Sequence, residues 1–203
     1  MVVLTIISII TVVVLTSQSS FNKSLVLANA AYDIALTIRS AETFGLGTRA
    51  AGATVNAGYG LHFQSSPTNT FILFADTSPT NNCDITQPSC KSGDHAYTSE
   101  SDESDLPDLF VQTYTLGNRV IIENFCAYDG SWECVSDSPS AISSLDIVFE
   151  RPNPNAYMSK NGIYSPASPV TVSCLTVTSP HGGEKYITVQ ASGQIIANAA
   201  SCP

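Results

Sequence analysis

Six cysteines carry the clearest chemistry in the chain: Cys83, Cys90, Cys126, Cys134, Cys174 and Cys202. The first four fall into two short loops, CDITQPSC and CAYDGSWEC. Intervals of six, seven and 27 residues fit neither a zinc finger nor a CxxC redox motif. None of the histidines, His62, His95 and His181, sits within a few residues of a cysteine. The cysteines therefore read as disulfides, and proximity favours 83–90, 126–134 and 174–202. Disulfides imply an oxidising compartment. A second chemical feature is acidic. Glu100, Asp102, Glu103, Asp105 and Asp108 place five acids in nine residues. Carboxylates on a loop are what a hard cation such as Ca²⁺ requires, and Asp102, Glu103 and Asp105 are the candidates. The EF-hand glycine and spaced terminal Glu are missing, so a solvated acidic loop is the simpler reading. No metal or cofactor is expected.

No constellation of catalytic residues emerges. There is no GxSxG elbow, no HExxH and no phosphate-binding glycine loop. His181-Gly182-Gly183 follows Pro180 between two strand-like runs and reads as a hairpin loop. Trp132, the one tryptophan, lies with Tyr128 in the nine-residue Cys126–Cys134 loop. An aromatic there suits contact with a partner or glycan, or a cap on the core. The expectation is a protein that is not an enzyme.

Composition limits the partners. The chain has 8 Lys+Arg against 17 Asp+Glu, a net charge of −9, which lacks the electrostatic footprint of a nucleic-acid binder. Charged residues are only 12%, too few for an acidic disordered tail. The length suits one domain with an appendage.

Two kinds of element must position these residues. Met1–Leu15, MVVLTIISIITVVVL, has no charge, Pro or Gly. As a helix it rises about 22 Å, short of a hydrocarbon core of about 30 Å. A signal-peptide h-region would need a basic n-region, which is absent. Ser17–Phe44 continues the helical pattern. Leu27, Ala31, Ile34, Ile38, Ala41 and Gly45 recur at steps of four and three, one stripe on one face. Gly45-Leu46-Gly47 ends the helix. Downstream, Tyr59–Gln64 and Thr70–Ala75 read as a hairpin, and Asp76–Pro107 as a loop-rich stretch. Leu109–Leu116 and Arg119–Phe125 flank Gly117-Asn118, a second hairpin signal. Ser144–Glu150 alternates as a strand, and Val170–Thr178 with Lys185–Ala191 forms a third hairpin.

The run MVVLTIISIITVVVL, then FNKS, then LANAAYDIALTIRSAETFGL resembles the N-terminal helix of type IV pilins and type II secretion pseudopilins, of the minor GspH/FimT-like type. IVFERPNP and the closing KYITVQASGQI resemble the head of that type. The resemblance implies an α+β fold, in which a long N-terminal helix, half membrane-embedded and half amphipathic, packs on an antiparallel β-sheet head with disulfide-closed loops. It divides the chain into a helix over 1–47 and an extracytoplasmic head over 48–203. The family's Gly-Phe-Thr-Leu-Ile-Glu start is not present, and alignment of IISII places Met1 just after the missing Glu. The implied function is that of a structural filament subunit, joining other pilin or pseudopilin subunits through Val2, Val3, Leu4, Ile6, Ile7, Ile9, Ile10, Val12, Val13, Val14 and Leu15. The implied location is the inner membrane, single-pass, with the head outside the cytoplasm, followed by an extracellular or periplasmic filament. Prepilin peptidase is an implied partner if the true start lies upstream. Two further readings stand beside it. One is a filament-tip adhesin or DNA-uptake module using Lys91, Arg119, Arg151, Lys160 and Lys185, although the net charge argues against unaided DNA binding. The other is a secreted disulfide-rich protein with a signal peptide.

Overall fold

The computed structural model describes residues 2–47, 51, 57–79, 93–99, 106–137 and 142–202, with the side chains of 13–23 outside that description. The order is one helix, α1 (Val2–Leu46), followed by ten strands: β1 (Gly58–Gln64), β2 (Thr70–Asp76), β3 (Leu109–Thr115), β4 (Ile121–Tyr128), β5 (Trp132–Cys134), β6 (Ser144–Phe149), β7 (Ala156–Lys160), β8 (Val172–Thr178), β9 (Glu184–Gln190) and β10 (Ile195–Ala199). The strands form two antiparallel five-stranded sheets, ordered β3-β2-β1-β6-β7 and β10-β9-β8-β4-β5.

This corrects the expected fold class. The chain is mostly β, with two sheets rather than one head sheet beneath a membrane-spanning helix. The described side chains of α1 fall into stretches of 11 and 23 residues. The expected single-pass membrane location is overturned by the same element. Among the described residues, no helix is long and apolar enough to cross a membrane. The described apolar side chains at its start, Val2–Val12, cover about 16 Å, half the hydrocarbon thickness of about 30 Å.

The second stretch of α1 organises the core. Leu27, Ala31, Ile34, Ile38 and Ala41 are all buried, at 2% exposure or less, while Leu36 on the opposite face is 63% exposed. They meet Leu61, Phe63, Phe71 and Ile147 of the first sheet and Phe125, Leu175, Ile187 and Val189 of the second in one apolar cluster. Gly45 closes the approach: a Cβ there would overlap the backbone carbonyl of Phe149 at the end of β6.

Alternation along the first sheet gives it two buried faces. Leu61, Phe63, Leu145 and Ile147 join the helix-side core, and residues of opposite parity, His62, Phe74 and Asp146, point the other way. That outer face is covered by the 93–98 segment, whose Tyr97 packs on His62 and Phe74, with ring centroids 4.6 and 5.0 Å apart. Burial on both faces explains why TFILFA is a near-continuous apolar run rather than an alternating one.

One expected hairpin is absent. β3 pairs with β2 in the first sheet, whereas β4 pairs with β5 and β8 in the second. The Gly117-Asn118-Arg119 turn therefore carries the chain from sheet to sheet. Asn118 and Arg119 both hold positive φ, 55° and 57°. The β1–β2 and β8–β9 hairpins pair as the sequence suggests. His181 and Gly182-Gly183 lie in the β8–β9 turn, where both glycines have positive φ.

Candidate functional site

Two features of the fold have functional chemistry. The first is the amino-terminal stretch of α1. Val2, Val3, Leu4, Ile6, Ile7, Ile9, Ile10 and Val12 are between 51% and 73% exposed. The stretch has no charge, and its polar groups are the hydroxyls of Thr5, Ser8 and Thr11, which fall along one side. Val13, Val14 and Leu15, assigned to the same surface from the sequence, lie outside the described side chains. Exposing eight large aliphatics is costly. Burying each stabilises by about 1.5–3 kcal/mol, so covering a helix face of this kind offers several kcal/mol beyond the loss of rotational and translational freedom.

The second feature is a carboxylate cluster. Asp76 ends β2, Asp108 precedes β3, and Asp94 sits in the covering segment. One oxygen from each lies within 4.8 Å of the others. Asp108 accepts backbone N–H bonds from Thr77 and Ser78 at Oδ1 and from Thr98 at Oδ2, all at 2.8 Å. Asp76 accepts from the N–H groups of Asp94 and His95 at 3.1 and 3.0 Å, and Asp94 from Ala96 at 3.0 Å. These bonds staple the 93–98 segment across the outer face of the first sheet. His95 adds a contact from its Nε2 to Glu150 at 3.0 Å and stacks on Tyr157, with centroids 4.1 Å apart.

Electrostatics follows from burial. Desolvation, with repulsion from Asp108 and Asp94, pushes Asp76 well above the usual carboxylate range, against the pull of its two N–H donors. Desolvation also pushes Asp108 up to about 7, despite its three donors. Asp94 is raised by burial and by Asp146, and is held back by the Ala96 N–H and by His95. Asp108 thus takes up a proton near neutral pH. The cluster's oxygens are a donor set that a hard cation could use, but six backbone N–H bonds already occupy them.

The calcium candidates Asp102, Glu103 and Asp105 lie outside the described residues. Of the acid-rich stretch, only Asp108 is described, and its carboxylate neighbours are Asp76 and Asp94, 32 and 14 residues upstream. Sequence reasoning missed both. The available signals were an acid terminating the apolar run TFILFAD and a Gly93-Asp94 pair, with Gly93 at φ 98° against the Asp76 carboxylate.

The described cysteines pair as Cys126–Cys134 and Cys174–Cys202. Cys126 lies opposite both Cys134 and Cys174 in register, so the two bridges adjoin on the second sheet. Cys83 and Cys90 lie outside the described residues. Trp132 is 37% exposed and packs on Tyr128 across the β4–β5 pair, with centroids 5.3 Å apart. Of the basic residues weighed for nucleic acid, Lys91 is outside the description and Lys160 is committed elsewhere. The Lys160 Nζ donates to Asp129 at 2.7 Å and to Glu133 at 2.6 Å. Comparison with family models, curated proteins and solved structures gives no match to this chain.

Proposed function

We propose that the chain is a structural subunit, similar to the minor pilins and pseudopilins, that joins other copies or related subunits through the amino-terminal stretch of α1. The observation that carries this reading is the exposure of Val2–Val12, eight large aliphatics on a helix stretch with no charged residue. A surface of that kind is stable in water only when another apolar surface covers it. A neighbouring helix or groove supplies such cover. The remainder of the chain supports a presenting role. A disulfide-braced body of two sheets holds the second stretch of α1 rigidly in its core, so force on the exposed stretch is transmitted to the body.

The test is light scattering and electron microscopy of the full chain beside Ile6→Asp/Ile9→Asp. The intact chain is expected to form elongated assemblies and the double variant to stay monomeric. Identical particle sizes for the two would remove the reading.

A further inference from the structure

We infer that the groove between α1 and the β3–β4 turn accepts residues Val2–Val12 of a second copy of this chain. The inference rests on the assembly reading above and names its acceptor. The groove encloses a cavity of ≈ 470 Å³. The apolar part of one wall is Val26, Ala30 and Leu36 of α1 and that of the other Tyr114, Leu116 and Val120, with Asn29, Asp33 and Asn118 also lining the groove.

Three observations select the occupant. First, charge: the whole chain carries −9, yet Val2–Val12 has no charge and the groove has one charged lining residue, Asp33. Two acidic copies meet here with least repulsion. Second, spacing: the exposed stretch carries its large anchors along one side. Val3, Ile6 and Ile10 form one stripe at i, i+3 and i+7, the spacing by which a helix anchors in an apolar groove. Third, connectivity: the exposed stretch and the groove wall are parts of the same helix, α1. The stretch cannot fold back into its own groove without breaking that helix, so the occupant comes from another copy. Donor and acceptor are different surfaces, and such heterologous contacts repeat into open, linear assemblies.

The experiment uses full chains only. A donor variant, Ile6→Asp/Ile10→Asp, keeps the groove. An acceptor variant, Ala30→Arg/Leu116→Asp, keeps the stretch. In sedimentation velocity, each variant alone is expected to associate at least tenfold more weakly than the intact chain. Their equimolar mixture is expected to give dimers that grow no further. An acceptor variant that assembles like the intact chain overturns the groove while leaving the assembly reading in place. An intact chain that does not associate overturns both. A photo-crosslinker at Ile7 in the otherwise intact chain guards against misfolded variants. Crosslinks to the 114–120 peptide support the groove, and crosslinks confined to the 2–12 peptides of other copies overturn it.

Discussion

At the residue scale, the unusual chemistry is three acids gathered where water is scarce. Asp108, buried and raised to about 7 from an ordinary 3.8, binds its proton more tightly in the folded chain than in the unfolded one. Its contribution to stability is therefore complete at acidic pH and is lost as pH rises through about 7. Raising this group from 3.8 to about 7 corresponds to an upper limit on the order of 4 kcal/mol. Asp76, displaced in the same direction by burial and its acidic neighbours, adds to the trend. Urea unfolding in the presence of a chelator should show stability falling between about pH 4 and about pH 7. Asp108→Asn should flatten that fall, at a cost of about 1–3 kcal/mol at pH 5, because the amide puts an NH2 donor where Oδ2 accepts the Thr98 N–H. An unchanged pH slope in the variant would show that other groups govern it. None of this was readable in the chain, because the three acids are separated by 18 and 14 residues and only the docking of the 93–98 segment brings them together.

At the element scale, the helix contrasts two faces at neighbouring positions. Ile38→Ala removes a fully buried side chain from the shared core and should cost about 2–5 kcal/mol, whereas Leu36→Ala, on the exposed face, should stay within about 0.5 kcal/mol. Gly45→Ala sets two effects against each other. Helix propensity favours Ala by about 1 kcal/mol, but the added Cβ collides with the Phe149 carbonyl, an overpacking cost of about 1–3 kcal/mol. The collision involves backbone that cannot swing aside, so net destabilisation is expected in equilibrium unfolding. The helical stripe was legible because its steps of three and four are local. The β1–β2 and β8–β9 hairpins were legible for the same reason. The β3–β4 connection was not: Gly117-Asn118 signals a turn, yet whether the flanking strands pair depends on partners far away, β2 for one and β8 for the other. Ala156–Lys160 gave no strand signal because its five residues are short and lie beyond a proline-interrupted stretch.

At the scale of the whole molecule, the body is stabilised where both sheets and the helix share one core, and two disulfides brace the second sheet. The Cys174–Cys202 bridge closes a 28-residue separation and Cys126–Cys134 one of eight. Loop entropy then assigns about 3.6 kcal/mol to the first and about 2.5 kcal/mol to the second. Replacing Cys174 and Cys202 by Ser should therefore lower the thermal midpoint more than replacing Cys126 and Cys134. The reverse order would show that local strand pairing outweighs chain closure. Sequence proximity was a sound guide to both pairings because each bridge joins cysteines consecutive in the chain. Class and location were misjudged on the apolar start: the chain is mostly β, and among the described residues no helix is long and apolar enough to cross a membrane. What remains on the surface is an uncharged helix stretch with eight exposed aliphatics, and assembly is its consequence. The most direct measurement is the concentration dependence of the sedimentation coefficient of the full chain beside Ile6→Asp/Ile9→Asp. The account predicts a coefficient that climbs with concentration for the intact chain and a flat monomeric value for the variant. A flat monomeric value for both would contradict it.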